Sequence, residues 1–128
     1  MKICLINGNR LAREVLTKAL VGRLGADVTA FPCCENALAG SLDYDVFVVY
    51  NNFNKRMTGM KGVTNIRARK ADAYILGVSS TPNFDKKFIP AGANAFLLRS
   101  GNEVEELVEL LRGESGPRVV GTAYLGAV

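Results

Sequence analysis

Tyr50, Asn51 and Asn52 close an apolar run, DVFVVY over 45–50, whose unbroken hydrophobicity is that of a strand buried on both faces. Three other apolar runs also end in polar residues: KICLI before Asn7, Gly8 and Asn9, AYILGVSS at Ser79 and Ser80, and NAFLL before Arg99 and Ser100. These run ends together hold carboxamides, hydroxyls, one phenol and one guanidinium, but no carboxylate. A phenol with an ordinary pKa of about 10 is protonated at neutral pH, so the set amounts to a neutral hydrogen-bonding network around one cation. Such residues can be ordinary solvated groups at a sheet end, hold a fixed conformation, or hold an anion or small metabolite at Arg99; they do not by themselves carry out acid–base chemistry. The chain has no histidine, which removes the usual triad base and the commonest metal ligand. NGNRLA is not a GxGxxG turn, no Walker pattern is present, and the first loop lacks the hydroxyls a flavin phosphate would need. Cys4, Cys33 and Cys34 show no CxxC spacing and read as reduced thiols. No catalytic residue, metal ligand set or cofactor is therefore expected.

The elements that place these residues follow from periodicity. Residues 2–6 read as a strand, and 10–24 as a helix with Leu11, Val15, Leu16, Ala19, Leu20 and Leu24 at helical spacing, Asn9 as its cap and Gly25 as its stop. Glu14 and Lys18 are spaced as an exposed i,i+4 pair. A strand over 27–31, a short helix over 35–40, the strand over 45–50, a helix over 62–70 and a strand over 73–80 come next. A weaker helix over 84–91, a strand over 94–98 and a helix over 101–112 complete the pattern, with Ser100 and Glu103 at capping-box spacing. Five strands alternating with five helices predict an α/β fold with a doubly wound parallel sheet and helices on both faces. Ligands of such sheets collect beyond the carboxyl ends of the strands, where the polar residues stand.

Length and composition agree. One domain is expected from 128 residues, which bury enough surface to fold without staples. No apolar run approaches the roughly 20 residues that cross a bilayer, and MKICLING lacks the apolar segment of a secretory signal, so a cytoplasmic address is expected.

In order and spacing, residues 2–112 resemble the receiver domain of response regulators. KICLINGNRLAREVL stands at that family's first strand, acidic pair and first helix, and YDVFVVY at the strand ending in the phosphorylated aspartate. MTGMKG resembles the Met-Pro-x-x-x-Gly turn, ILGVSS the strand ending in a hydroxyl, and AGANAFLLRS the Ala-Gly-Ala-x-x-aromatic-x-x-Lys-Pro segment. The resemblance implies a five-stranded sheet of order 2-1-3-4-5 over 1–112, followed by a tail or linker over 113–128.

The resemblance also locates what has changed. The family's magnesium-binding acids fall on Asn7 and Gly8, the phosphoacceptor on Tyr50, or on Asn51 with a one-residue slip, and the lysine on Arg99; Ser79 alone keeps its type. Magnesium is held through carboxylates, and phosphoryl transfer depends on the ion to offset charge on the moving group. Asp43, Asp45 and Asp72 precede their strands at the opposite end, and Asp85 is a single loop carboxylate. The expected protein is a non-enzymatic pseudo-receiver that binds protein partners in bacterial-type signal transduction and is not phosphorylated on aspartate. The alternative is a sensor of a small ligand or anion around Arg99.

Partner surfaces are read from charge and from the resemblance. Lys55, Arg56, Lys61, Arg67, Arg69 and Lys70 form a basic run, and Glu103, Glu105, Glu106 and Glu109 an acidic one. Their segregation suggests charge-complementary association with a protein partner or a second copy. A net charge of +4 without aromatic–basic interleaving makes nucleic acid an unfavoured partner. In receivers the fourth helix, fifth strand and fifth helix form a docking surface, which the resemblance places here on Phe84, Lys87, Phe88, Phe96 and the exposed part of 101–112. VVGTAYLGAV at the end is apolar enough to add to a sheet edge, dock on another subunit or lead into a further domain.

Overall fold

A computed structural model describes residues 1–51, 57–99 and 101–112, and the backbone of 118–120. The elements in order are β1 (Lys2–Ile6), α1 (Arg10–Leu24), β2 (Asp27–Phe31), α2 (Cys34–Leu38), β3 (Val46–Tyr50), α3 (Gly59–Arg69), β4 (Tyr74–Ser79), α4 (Asp85–Ala91), β5 (Ala95–Leu98), α5 (Glu103–Arg112) and β6 (Arg118–Val120). The strands form one parallel sheet of order β2-β1-β3-β4-β5-β6. The doubly wound five-stranded core is therefore present as expected, and the tail contributes a sixth strand beside β5.

Strand alternation separates the interior into two cores. Ile3, Leu5, Val48, Tyr50, Leu76, Val78, Ala95 and Leu97 face α1 and α5, meeting Leu16, Leu20, Leu107, Val108 and Leu111. Cys4, Ile6, Phe47, Val49, Ile75, Phe96 and Leu98 face α2, α3 and α4, meeting Ala37, Val63, Ile66 and Phe88. β3 is buried along its whole length, as a central parallel strand must be.

Local signals set most boundaries. The Asn9 side chain accepts from the Ala12 amide at 2.9 Å, and Gly25 ends α1 in the left-handed region at φ 63°. α3 starts at Gly59, earlier than the periodicity indicates, because Thr58 caps it through the Lys61 amide at 3.2 Å. Glu14 pairs with Arg10, at 3.3 Å, in place of the expected Lys18. Leu11 and Val15, read as part of the inner face of α1, are 71% and 57% exposed, since the helix turns Leu16 and Leu20 to the sheet.

The basic run is not one surface. The Arg67 guanidinium donates to the carbonyls of Ala71, Ala73 and Gly92 and to Asn94 Oδ1 at 2.7–3.1 Å, tying α3 to the segments that lead into β4 and β5. Arg69 donates to the Leu38 and Gly40 carbonyls at the end of α2. Lys55 and Arg56 lie outside the described residues. The docking surface needs a further correction: Phe88 is 0% and Phe96 2% exposed, their rings 5.7 Å apart inside the core. Gly77 lets Phe88 lie flat on β4, because a Cβ there would stand 2.3 Å from the ring. Of the expected surface, Lys87 remains exposed and Phe84 partly so, with the Lys87 ammonium 5.0 Å from the Phe84 ring centre.

Candidate functional site

Register gathers the strand-end residues along one edge. Ile6 lies beside Val49, Tyr50 beside Val78 and Ser79 beside Leu98, so Asn7, Tyr50, Asn51, Ser79 and Arg99 follow one another across the sheet. Backbone bonds from Asn51 to Val78 (2.9 Å) and from Arg99 to Ser79 (3.0 Å) extend the ladder past the strands.

At the first strand end, Asn7 is 5% exposed; its Oδ1 accepts from the Asn9 amide at 2.7 Å and its carbonyl from Arg13 Nη1 at 2.9 Å. This is a local Asx turn that shapes the entry to α1. Gly8 is exposed. Ser79, also 5% exposed, is used similarly, its Oγ accepting from the Thr81 amide at 3.0 Å. Both side chains hold their own loops.

The centre of the site is Tyr50. It is 4% exposed, its ring belongs to the α1–α5 core, and its hydroxyl donates to Glu103 Oε2 on the first turn of α5. The other Glu103 oxygen, Oε1, accepts from Arg99 Nε at 2.9 Å, and the Arg99 guanidinium carbon stands 5.8 Å from the Tyr50 ring centre. Burial, then the Glu103 carboxylate, pushes the Tyr50 phenol above its ordinary pKa, with Arg99 opposing. In the sequence Glu103 stands as half of a capping box with Ser100, which lies outside the described residues, and as part of the acidic run. Its i,i+4 spacing from Arg99 is the signal that finds it. Asn51 completes the group: both polar atoms of its side chain are buried without a hydrogen-bond partner among the described residues.

The three thiols are free and buried, and burial pushes Cys4 and Cys34 up to about 12. No three His, Cys, Asp or Glu side chains among the described residues are grouped to hold a metal ion. No helix there is long and apolar enough to cross a membrane.

No protein-family model matches the chain, and no curated protein matches it in sequence. Solved structures do match in shape. The chemotaxis protein CheY4 of Vibrio cholerae superposes with a TM-score of 0.75 at 22% identity, over 87% of this chain and 95% of its own. A CheY-like response regulator receiver domain protein from Methanospirillum hungatei gives 0.77 at 14% identity, over 87% and 90%. The response regulator TrrA of Thermotoga maritima, in complex with magnesium and beryllium fluoride, gives 0.72 at 22% identity, over 84% and 96%. This chain has the receiver fold.

Within a receiver fold, the strand-end residues here do not suit a divalent ion. The Asn7 oxygen is taken by the Asn9 amide, Gly8 has no side chain, and Tyr50 ends β3 with a buried, protonated phenol. Among the described residues the carboxylate that reaches this region, Glu103, is shared between the Tyr50 hydroxyl and Arg99. An ion there would have to break that charge-assisted pairing and would find a single acid among the described residues.

Proposed function

We propose that this chain is a receiver-fold module of bacterial-type signal transduction that binds protein partners, carries out no catalysis and is not phosphorylated on aspartate. The observation that carries this reading is the Tyr50–Glu103–Arg99 cluster: a buried phenol stands where the acceptor carboxylate would be, held by a carboxylate that already neutralises Arg99. Such a cluster keeps the end of β3 and the start of α5 in one arrangement, so the surfaces above them are displayed permanently. We place the module in the cytoplasm, where its buried reduced thiols are at home. The anion-sensor alternative is weakened by the same geometry, since the Arg99 charge is engaged by Glu103.

The test is exposure of the purified chain to acetyl phosphate with and without magnesium, followed by intact-mass measurement and thermal melting. No added phosphoryl mass and an unchanged Tm are expected, while magnesium-dependent phosphorylation would overturn the reading. A melting shift with a small anion that Arg99→Ala abolishes would favour the sensor.

A further inference from the structure

The sixth strand has an unusual connection. α1 serves a step from β1 to the strand on one side, β2, whereas α3 and α4 serve steps in the opposite direction, β3 to β4 and β4 to β5. Right-handed crossovers then require α1 on one face and α3 and α4 on the other, as the two cores confirm. The step from β5 to β6 runs the same way as those of α3 and α4, yet α5 packs with α1: Leu107, Val108 and Leu111 share a core with Leu16 and Leu20, and Arg23 pairs with Glu105. Closed within one chain, β5–α5–β6 is thus a left-handed crossover, an arrangement that parallel sheets adopt in about 2% of cases. The connection is also short, five residues from Arg112 to Arg118. Among the described residues three pairs hold the strand, Ala95 with Arg118, Phe96 with Val119 and Leu97 with Val120.

A short connection and a left-handed crossover favour exchange of an identical element between copies. A second copy's residues 118–120 have the same sequence and hence the same register on β5, so every hydrogen bond made within the chain is also available between chains. In the exchanged pair β5 and the strand that follows it belong to different sheets, and the handedness restriction no longer applies. We infer that the outer edge of β5 is a strand-accepting site whose occupant is Arg118–Val120 of a second copy, giving a reciprocally exchanged dimer. This deepens the interaction-module reading by naming a partner, and it uses backbone pairing at a sheet edge.

The test is the mass of the full chain by size exclusion with light scattering over a concentration series. Twice 13.8 kDa is expected for the wild type at high concentration. Val120→Pro removes the N–H that register and alternation direct at β5 and should return the mass to that of a monomer. Insertion of six Gly/Ser residues between 113 and 117, which leaves the strand intact but lets it close on its own sheet, should do the same. Melting and circular dichroism of each variant verify that it is folded. A wild type that stays monomeric, or a dimer that survives either change in a folded chain, would overturn the exchange. A monomer that still takes no label from acetyl phosphate would leave the interaction-module reading standing, which separates the two failures.

Discussion

At the scale of single residues, Tyr50 decides the character of the site because its environment disfavours charge on the oxygen. Desolvation and the adjacent Glu103 carboxylate both raise its pKa. The folded state therefore holds the phenolic proton more tightly than the unfolded chain, in which the phenol titrates near 10. The resulting stability is fully present below about pH 10 and is lost as pH rises toward the higher folded value. Tyr50→Phe should cost about 1 kcal/mol at pH 7, the net worth of a buried hydrogen bond, and the difference from wild type should shrink above pH 10 in denaturant melts. A difference that stays constant to pH 11 would show that the phenol is not held in this way. Tyr50→Asp tests the same oxygen from the opposite side. It places a carboxylate at the end of β3 but removes a core ring and sets a second acid beside Glu103, so a loss of about 3 kcal/mol or more and no acyl-phosphate labelling are expected. Arg67 shows what sequence could not reveal at this scale: it looked like one of a basic run because its carbonyl acceptors at Gly92 and Ala73 leave no trace in residue type. Glu103 was legible only through its spacing from Arg99, since its contact with Tyr50 spans 53 residues.

Among the elements, the strands were legible because parallel central strands must be apolar on both faces, and β3 and β4 show that without interruption. α1 was legible through its caps, Asn9 and Gly25. The start of α3 was obscured because Gly59 and Gly62 are poor helix formers; both are there for space, Gly59 lying 3.1 Å from the Phe88 ring and Gly62 2.3 Å from Cys34 Sγ if given a Cβ. α4 shows how resemblance can misplace a surface. The resemblance puts Phe88 and Phe96 on a docking face, but both rings lie in the core against β4 and β5, 5.7 Å apart. Gly77 is the complement of Phe88 on β4, and this argues a prediction at the level of the packed pair. Gly77→Ala should lower stability by about 1–3 kcal/mol, because the ring cannot move without opening the core that also contains Ile75, Phe96 and Leu98. Thermal melting checks it. Ala introduced at Gly40, where a Cβ would meet nothing within 4 Å, serves as the neutral comparison.

Across the whole molecule, charge acts as internal bracing more than as a partner surface. The acidic face of α5 meets its countercharges inside the chain, Glu103 with Arg99 and Glu105 with Arg23, and Lys2 joins β1 to Asp43 ahead of β3 at 3.0 Å. Asp43 is held below the usual carboxylate range chiefly by its hydrogen bond to Lys2, and Glu105 by its hydrogen bond to Arg23. A carboxyl with a depressed folded pKa contributes stability above its unfolded pKa, near 4, and loses that contribution as pH falls through the lower folded value. The chain should therefore lose stability on acidification below about pH 4, with a shallower slope in 0.5 M salt because these pairs face water and are screened. Glu105→Gln should flatten the acid limb further by removing the tie between α1 and α5, while leaving the alkaline limb set by Tyr50 untouched. Urea melts from pH 2.5 to 6 for the two chains decide it: parallel curves would mean that α1 and α5 are joined by their apolar contacts alone, and that the acidic helix faces outward with its charge free for a partner.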